Sequence, residues 1–174
     1  VLPNEIAIIP QPVAIITGDN HLQLGASVIL VAGTADEKNV ASFIQEFFAA
    51  KNITTTLSAN AQGKDVIHLT IADGDTTTNK EGYSVIVNDQ GVTLQSTTGA
   101  GLFYAAQSFI QLAAHDGKSV PYVTITDAPR FSYRGLHLDV GRHMFPISFI
   151  KKYIDLLAKH KYNRFHWHLT EDQG

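Results

Sequence analysis

The chain of 174 residues is the size of one domain, or of one domain and a piece of another. Apolar residues make up 44% and charged residues 17%, which argues against intrinsic disorder, and a net charge of −3 argues against a basic nucleic-acid surface. Cysteine is absent, so disulfide frameworks, thiolate metal sites and cysteine nucleophiles are excluded. No apolar run approaches the roughly 18 residues of a membrane-spanning helix.

The first 125 residues read as strands mixed with helices. Val13 to Ile16 and Val28 to Ala32 are short β-branched runs bounded by Gly18, Gly25 and Gly33. Asp36 to Ala50 is predicted helical. Val40, Phe43, Ile44, Phe47 and Phe48 recur along one stripe, and Thr34 or Asp36 can cap its start. Thr54 to Leu57 and Val66 to Ile71 are further strands, and a polar loop runs from Asp73 to Gly82. Tyr83 to Val87 and Val92 to Gln95 form a hairpin around Asn88-Asp89-Gln90-Gly91. A second helix, Gly99 to Ala114, presents Leu102, Phe103, Ala106, Phe109, Ile110 and Ala113, with Thr97-Thr98 as its cap.

Asp127-Ala128-Pro129-Arg130 breaks the chain, and the domain boundary is placed here: 1–127 and 128–174. Beyond it, Leu136 to Val140 is a strand. A third helix opens at Pro146 and Ser148 and runs to Lys159, with stripe Phe149, Ile150, Tyr153, Ile154 and Leu157. Arg164 to Leu169 is another strand. Connections this short make one βαβ unit with parallel strands.

Side chains alternate across a strand. Leu136, Leu138 and Val140 share one face; His137 and Asp139 share the other. Phe165, Trp167 and Leu169 are likewise separated from Arg164, His166, His168 and Thr170. The apolar faces take the helix, which leaves charge at the strands' C-terminal ends: Asp139, Arg142 and His143, then His168, Glu171 and Asp172. In a (β/α)8 barrel that is where chemistry collects. Pattern alone leaves Asp139–Arg142 open as a structural ion pair. His166 and His168 resemble a metal pair, but spacing offers no third ligand of the three a catalytic zinc usually takes, so no metal is expected. Lys151, Lys152, Lys159 and Lys161 read as the solvated side of the helix.

Ala128-Pro129-Arg130-Phe131-Ser132-Tyr133-Arg134-Gly135-Leu136-His137-Leu138-Asp139-Val140-Gly141-Arg142-His143 resembles the opening barrel strand of glycoside hydrolase family 20, the β-N-acetylhexosaminidases. His166-Trp167-His168-Leu169-Thr170-Glu171-Asp172-Gln173-Gly174 resembles that family's second-strand signature. Gly101 to Gln107, Gln111-Leu112 and Ile9-Pro10-Gln11-Pro12 resemble parts of its small preceding domain. Two positions depart from the pattern: Gly141, where the family often has Ser or Ala, and Glu171, where many members carry Asp.

The resemblance implies a non-catalytic α+β N-terminal domain, a sheet with helices on one face, followed by the first βαβ unit of an incomplete (β/α)8 barrel. It implies retaining, substrate-assisted removal of terminal N-acetylglucosamine or N-acetylgalactosamine from glycans, an exception to the two-carboxylate scheme. Arg142 matches the arginine that grips the sugar's 3- and 4-hydroxyls. Glu171 matches the carboxylate that accepts from the 3-hydroxyl. Asp139 and His168 orient these two. The catalytic Asp-Glu pair belongs to a later strand, so the chain reads as an inactive piece of a larger enzyme, without cofactor or metal. Its open strand edges invite self-association, and a bacterial periplasmic or secreted location is expected. The rival from another class is a stand-alone carbohydrate-binding or interaction module. A different barrel glycosidase is a third reading, opposed by Asp139-Val140-Gly141-Arg142-His143.

Overall fold

A computed structural model describes residues 6–73 and 79–170. The part of the expected polar loop at 74–78 lies outside the described residues, as does Glu171. The chain divides into two compact units, Val1–Pro129 and Arg130–Gly174.

The first unit is a mixed seven-stranded sheet with two helices. Its elements are β1 (Ala14–Gln23), β2 (Ser27–Val31), α1 (Ala35–Ala49), β3 (Thr54–Ser58), β4 (Val66–Ile71), β5 (Tyr83–Asn88), β6 (Gly91–Ser96), α2 (Gly99–Leu112) and β7 (Ser119–Asp127). The strand order is β1-β7-β5-β6-β4-β2-β3. β6, β4, β2 and β3 run parallel to their neighbours, while the β6–β5, β5–β7 and β7–β1 pairings are antiparallel. Register sets Leu69, Leu94, Val85, Ile125 and Ile15 in one row across five strands. The helices pack side by side against the sheet, with Phe43 edge-on to Phe103 at 5.0 Å and Phe48 tilted against Phe109 at 6.2 Å. Ile44, Phe48, Leu102 and Phe109 are fully buried with Leu30, Ile67, Val85 and Leu94.

Both helices start on threonine. Thr34 accepts from the Glu37 amide while Glu37 reaches back to the Thr34 amide, a reciprocal capping box. Thr98 caps α2 by accepting from the Gly101 amide. β7 is absent from the sequence reading, although it sits between β1 and β5. Pro121 falls within it, and proline cannot donate to a ladder. β5 pairs only with 123–127, however, so Pro121 lies where β7 has β1 alone as a neighbour. β1 also extends beyond its predicted end. The Gly18-Asp19-Asn20 segment, turn-like by composition, is absorbed by a register shift between Thr17 and His21.

At the β5–β6 hairpin Asn88 pairs with Gly91, and Asn88 Oδ1 accepts from the Gln90 amide at 2.9 Å. Gly91 has φ +124°, and a Cβ there would lie 2.6 Å from the Val66 carbonyl oxygen. Backbone strain of this kind costs about 1–3 kcal/mol before the clash is counted. Gly91→Ala is therefore expected to lose at least about 2 kcal/mol in urea unfolding. A loss under about 0.5 kcal/mol, the range of an ordinary surface change, would refute this account of the turn.

The second unit contains β8 (Gly135–Asp139), α3 (Ile147–Lys159) and β9 (Arg164–His168). β8 and β9 are parallel and in register from Gly135–Arg164 to Asp139–His168. α3 lies over the apolar face, where the Tyr153 ring is 5.6 Å from Phe165 and Phe165 stacks on Trp167 at 5.8 Å. Leu138 and Leu157 are buried, but Ile147 is 72% exposed, Leu169 59% and Trp167 43%. Of the predicted α3 stripe, Leu157 is buried while Phe149 and Ile154 are 39% and 44% exposed, because two strands are narrower than the face the helix presents. Arg134 secures the N-terminal end of the pair. Its Nε donates to the Lys161 carbonyl at 2.8 Å, and its own carbonyl accepts from the Asn163 and Arg164 amides. Lys161 corrects the sequence reading. It is buried, in left-handed conformation (φ 61°), and lies beyond α3 in the turn rather than on the helix's wet side.

Candidate functional site

Two of the four expected site residues occupy the last positions of neighbouring parallel strands. Asp139 ends β8, His168 ends β9, and they are register partners. A period of two puts both on the face opposite Leu138 and Trp167. Immediately beyond β8, Gly141 N–H donates to Asp139 Oδ1 at 3.0 Å, and Arg142 Nε donates to Asp139 Oδ2 at 3.0 Å. The turn therefore folds the arginine back onto the carboxylate three residues before it. Partial burial pushes the Asp139 carboxyl up, but the Gly141 amide, the Arg142 guanidinium and the nearby His168 outweigh it and hold it below the usual range. The Asp139 side chain thus stays anionic in neutral solution and fixes the direction of the guanidinium. Two-thirds of the Arg142 side chain is exposed, so a ligand can reach it. With the arginine largely in water, the pair itself adds little to stability.

On β9, His168 Nε2 lies 2.5 Å from the Thr170 carbonyl oxygen. A carbonyl only accepts, so Nε2 carries the proton in this contact. The structure thus brings Asp139, Arg142 and His168 to one end of the β8–β9 pair.

The site also holds a residue whose part spacing did not reveal. His137 pairs with His166 across the two strands, with ring centroids 4.6 Å apart, and its ring is 5.8 Å from that of His168. One ring nitrogen from each of the three lies within 4.8 Å of the others. The third imidazole judged missing from the His166–His168 pair therefore exists, contributed by the other strand. Alternation had already placed His137 on the right face; only the interstrand register brings it opposite His166.

Comparison with known proteins bears on the whole chain. The sequence profile of glycosyl hydrolase family 20, domain 2, matches residues 5–128, and that of the family's catalytic domain matches residues 131–174. The chain belongs to glycosyl hydrolase family 20. It is 32% identical to a β-hexosaminidase of Porphyromonas gingivalis over 97% of its length, but spans only 23% of that protein. It is 31% identical to a β-N-acetylhexosaminidase of Cellulomonas fimi, covering 98% of the chain and 36% of the relative. Among solved structures, the N-acetyl-β-hexosaminidase of Streptomyces plicatus in complex with Thio-NAglucal superposes with TM-score 0.85 at 29% identity, over 96% of this chain and 35% of that one. A β-N-acetylhexosaminidase of Bacteroides fragilis gives TM-score 0.79 at 32% identity, over 98% and 34%. The chain thus spans between about a fifth and a third of these relatives. No described helix is long and apolar enough to cross a membrane.

Proposed function

We propose that residues 1–174 form the small α+β domain and the first βαβ unit of the catalytic barrel of a retaining, substrate-assisted β-N-acetylhexosaminidase, in which this segment holds the terminal sugar. The observation that carries the reading is the Asp139–Arg142 hydrogen bond at the C-terminal end of a parallel strand. A guanidinium offers five N–H donors in a rigid fork, suited to adjacent hydroxyls of a pyranose. Asp139 orients that fork, and His168 stands beside Asp139 at the end of the next strand. Glu171, three residues further on, is proposed to accept a hydrogen bond from a sugar hydroxyl through its carboxylate.

The exposure of Ile147, Trp167 and Leu169 supports continuation into further barrel elements that would cover them. Membership of family 20 supports the choice of an N-acetylated sugar. A mutant Streptomyces plicatus relative was crystallised with GlcNAc as product. The bond-breaking groups, a Glu that protonates the leaving oxygen and an Asp that orients the acetamido group, are assigned to a later strand of the complete barrel. The acetamido oxygen itself attacks the anomeric carbon.

The test uses the complete polypeptide that carries this segment. An aryl N-acetyl-β-glucosaminide is expected to be cleaved with the β-anomer of the free sugar appearing first in proton NMR. The matching aryl β-glucoside, which has no acetamido oxygen, is expected to be cleaved at least about a thousandfold more slowly, since about 4 kcal/mol of barrier then loses its source. Comparable rates on the two substrates would overturn the assignment.

A further inference from the structure

We propose that His137, His166 and His168 form a binding site for one divalent transition-metal ion of the zinc type. The site arises from sheet geometry. His137 and His166 stand opposite each other in the parallel ladder, and His168 follows two residues later on the same face. Each imidazole contributes a nitrogen to a cluster no wider than 4.8 Å.

Tetrahedral zinc with bonds near 2.0–2.1 Å holds its nitrogens about 3.3 Å apart. The cluster therefore has to contract by about 1.5 Å at its widest. His137 and His166 are exposed, so their rings can turn about the side-chain torsions without displacing core atoms. Their strands are fixed to each other by the ladder, so the three nitrogens approach already oriented. The Thr170 carbonyl beside His168 Nε2 supplies the kind of outer contact that commonly fixes the tautomer of a ligating histidine.

Three imidazoles and a solvent-filled fourth position favour borderline ions such as zinc, cobalt and nickel. Magnesium and calcium, which demand oxygen ligands, are disfavoured. Asp139 is the register partner of His168 and already bonds to Arg142 and Gly141. It therefore does not enter the ligand set. The proposal rests on the register, the nitrogen cluster and the exposure of His137 and His166. It stands or falls independently of the sugar-binding reading.

The experiment is a zinc titration of the untagged complete polypeptide that carries this segment, against a chromogenic zinc indicator at constant pH near neutrality. One equivalent is expected to bind with Kd of about 10 µM or tighter. His137→Ala and His166→Ala should each weaken binding at least about 30-fold. His115→Ala, an exposed histidine outside the cluster, should leave it unchanged. A 100-fold excess of magnesium should not compete. Circular dichroism checks the fold of each variant. Should a ligand variant fail to fold, the wild-type chain still decides the matter with cobalt: one equivalent should give visible tetrahedral d–d bands, and broaden the ring signals of three histidines in long-range proton–nitrogen spectra. No binding below about 1 mM, equal weakening by His115→Ala, or broadening centred on other histidines would each overturn the site.

Discussion

Glu37→Ala is expected to unfold the first unit far more readily than a single surface carboxylate would suggest, by about 3 kcal/mol or more, close to 10 °C in midpoint for a unit of this size. Glu37 lies in the first turn of α1 yet is only 6% exposed. Its Oε2 accepts from the Gly33 and Thr34 amides, both at 2.8 Å, and its Oε1 accepts from the Ile71 amide at 2.8 Å. One carboxylate therefore closes the N-terminus of α1 and ties it to the end of β4. Losing the cap costs about 1 kcal/mol. Losing a charge-assisted bond at the half-buried Ile71 amide adds about 1.5–3 kcal/mol, whereas the exposed Gly33 and Thr34 amides regain water. Burial pushes the Glu37 carboxyl up, but the amides of Ile71, Thr34 and Gly33 outweigh it and hold it below the ordinary glutamate value. The sign follows from that direction. Above about pH 4.5 the group is ionised in both folded and unfolded chains, and its stabilisation is complete. As the pH falls through the depressed folded value, the unfolded chain takes the proton first and the advantage is lost. The gap between wild type and Glu37→Ala in chemical unfolding should therefore be widest near neutrality and narrow in acid. A gap that is small at pH 7, or that grows below pH 4, would refute the role given to this side chain.

Glu37 also marks where sequence reasoning stops. The spacing of Thr34 and Glu37 makes a capping box legible, yet only the assembled sheet brings the Ile71 amide within reach. The stripes of α1 and α2 were readable because helical period alone decides which side chains share a face. Ile44, Phe48, Leu102 and Phe109 are buried as that period requires. β7 was not readable, because its proline is harmless only where one neighbour is missing, which is a property of sheet order. The same division runs through the candidate site. Alternation along each strand placed Asp139 and His168 on polar faces correctly. Their meeting, and that of His137 with His166, depends on the parallel register, which no local pattern encodes. Lys161 was misplaced for a related reason. Helical period was carried two residues past Lys159, where the backbone had already turned left-handed.

In the complete polypeptide, Arg142→Ala is expected to lower kcat/KM on an aryl N-acetyl-β-glucosaminide by about 10- to 100-fold or more. A hydrogen bond from a charged donor is worth about 1.5–3 kcal/mol, and a tenfold rate change corresponds to about 1.4 kcal/mol. Removing a single such contact is already enough for the lower figure. Arg142→Lys should recover little, because an ammonium is a point charge and cannot reproduce the planar fork. Asp139→Asn separates orientation from charge. The amide keeps one acceptor for Arg142 Nε at the 3.0 Å position, but it loses the negative charge and turns its NH2 toward the Gly141 amide, which had donated to Oδ1, so its loss should fall between wild type and Arg142→Ala. Stability distinguishes the sugar-binding reading from the bare ion-pair reading. The pair sits at the turn beyond β8, largely in solvent on the arginine side, where breaking it costs little stability. A folded Arg142→Ala protein with an unchanged melting midpoint and a large loss of kcat/KM places the arginine on the substrate. A protein with near-normal kcat/KM returns Asp139 and Arg142 to the role of a turn-closing ion pair, and the sugar must then be held from elsewhere.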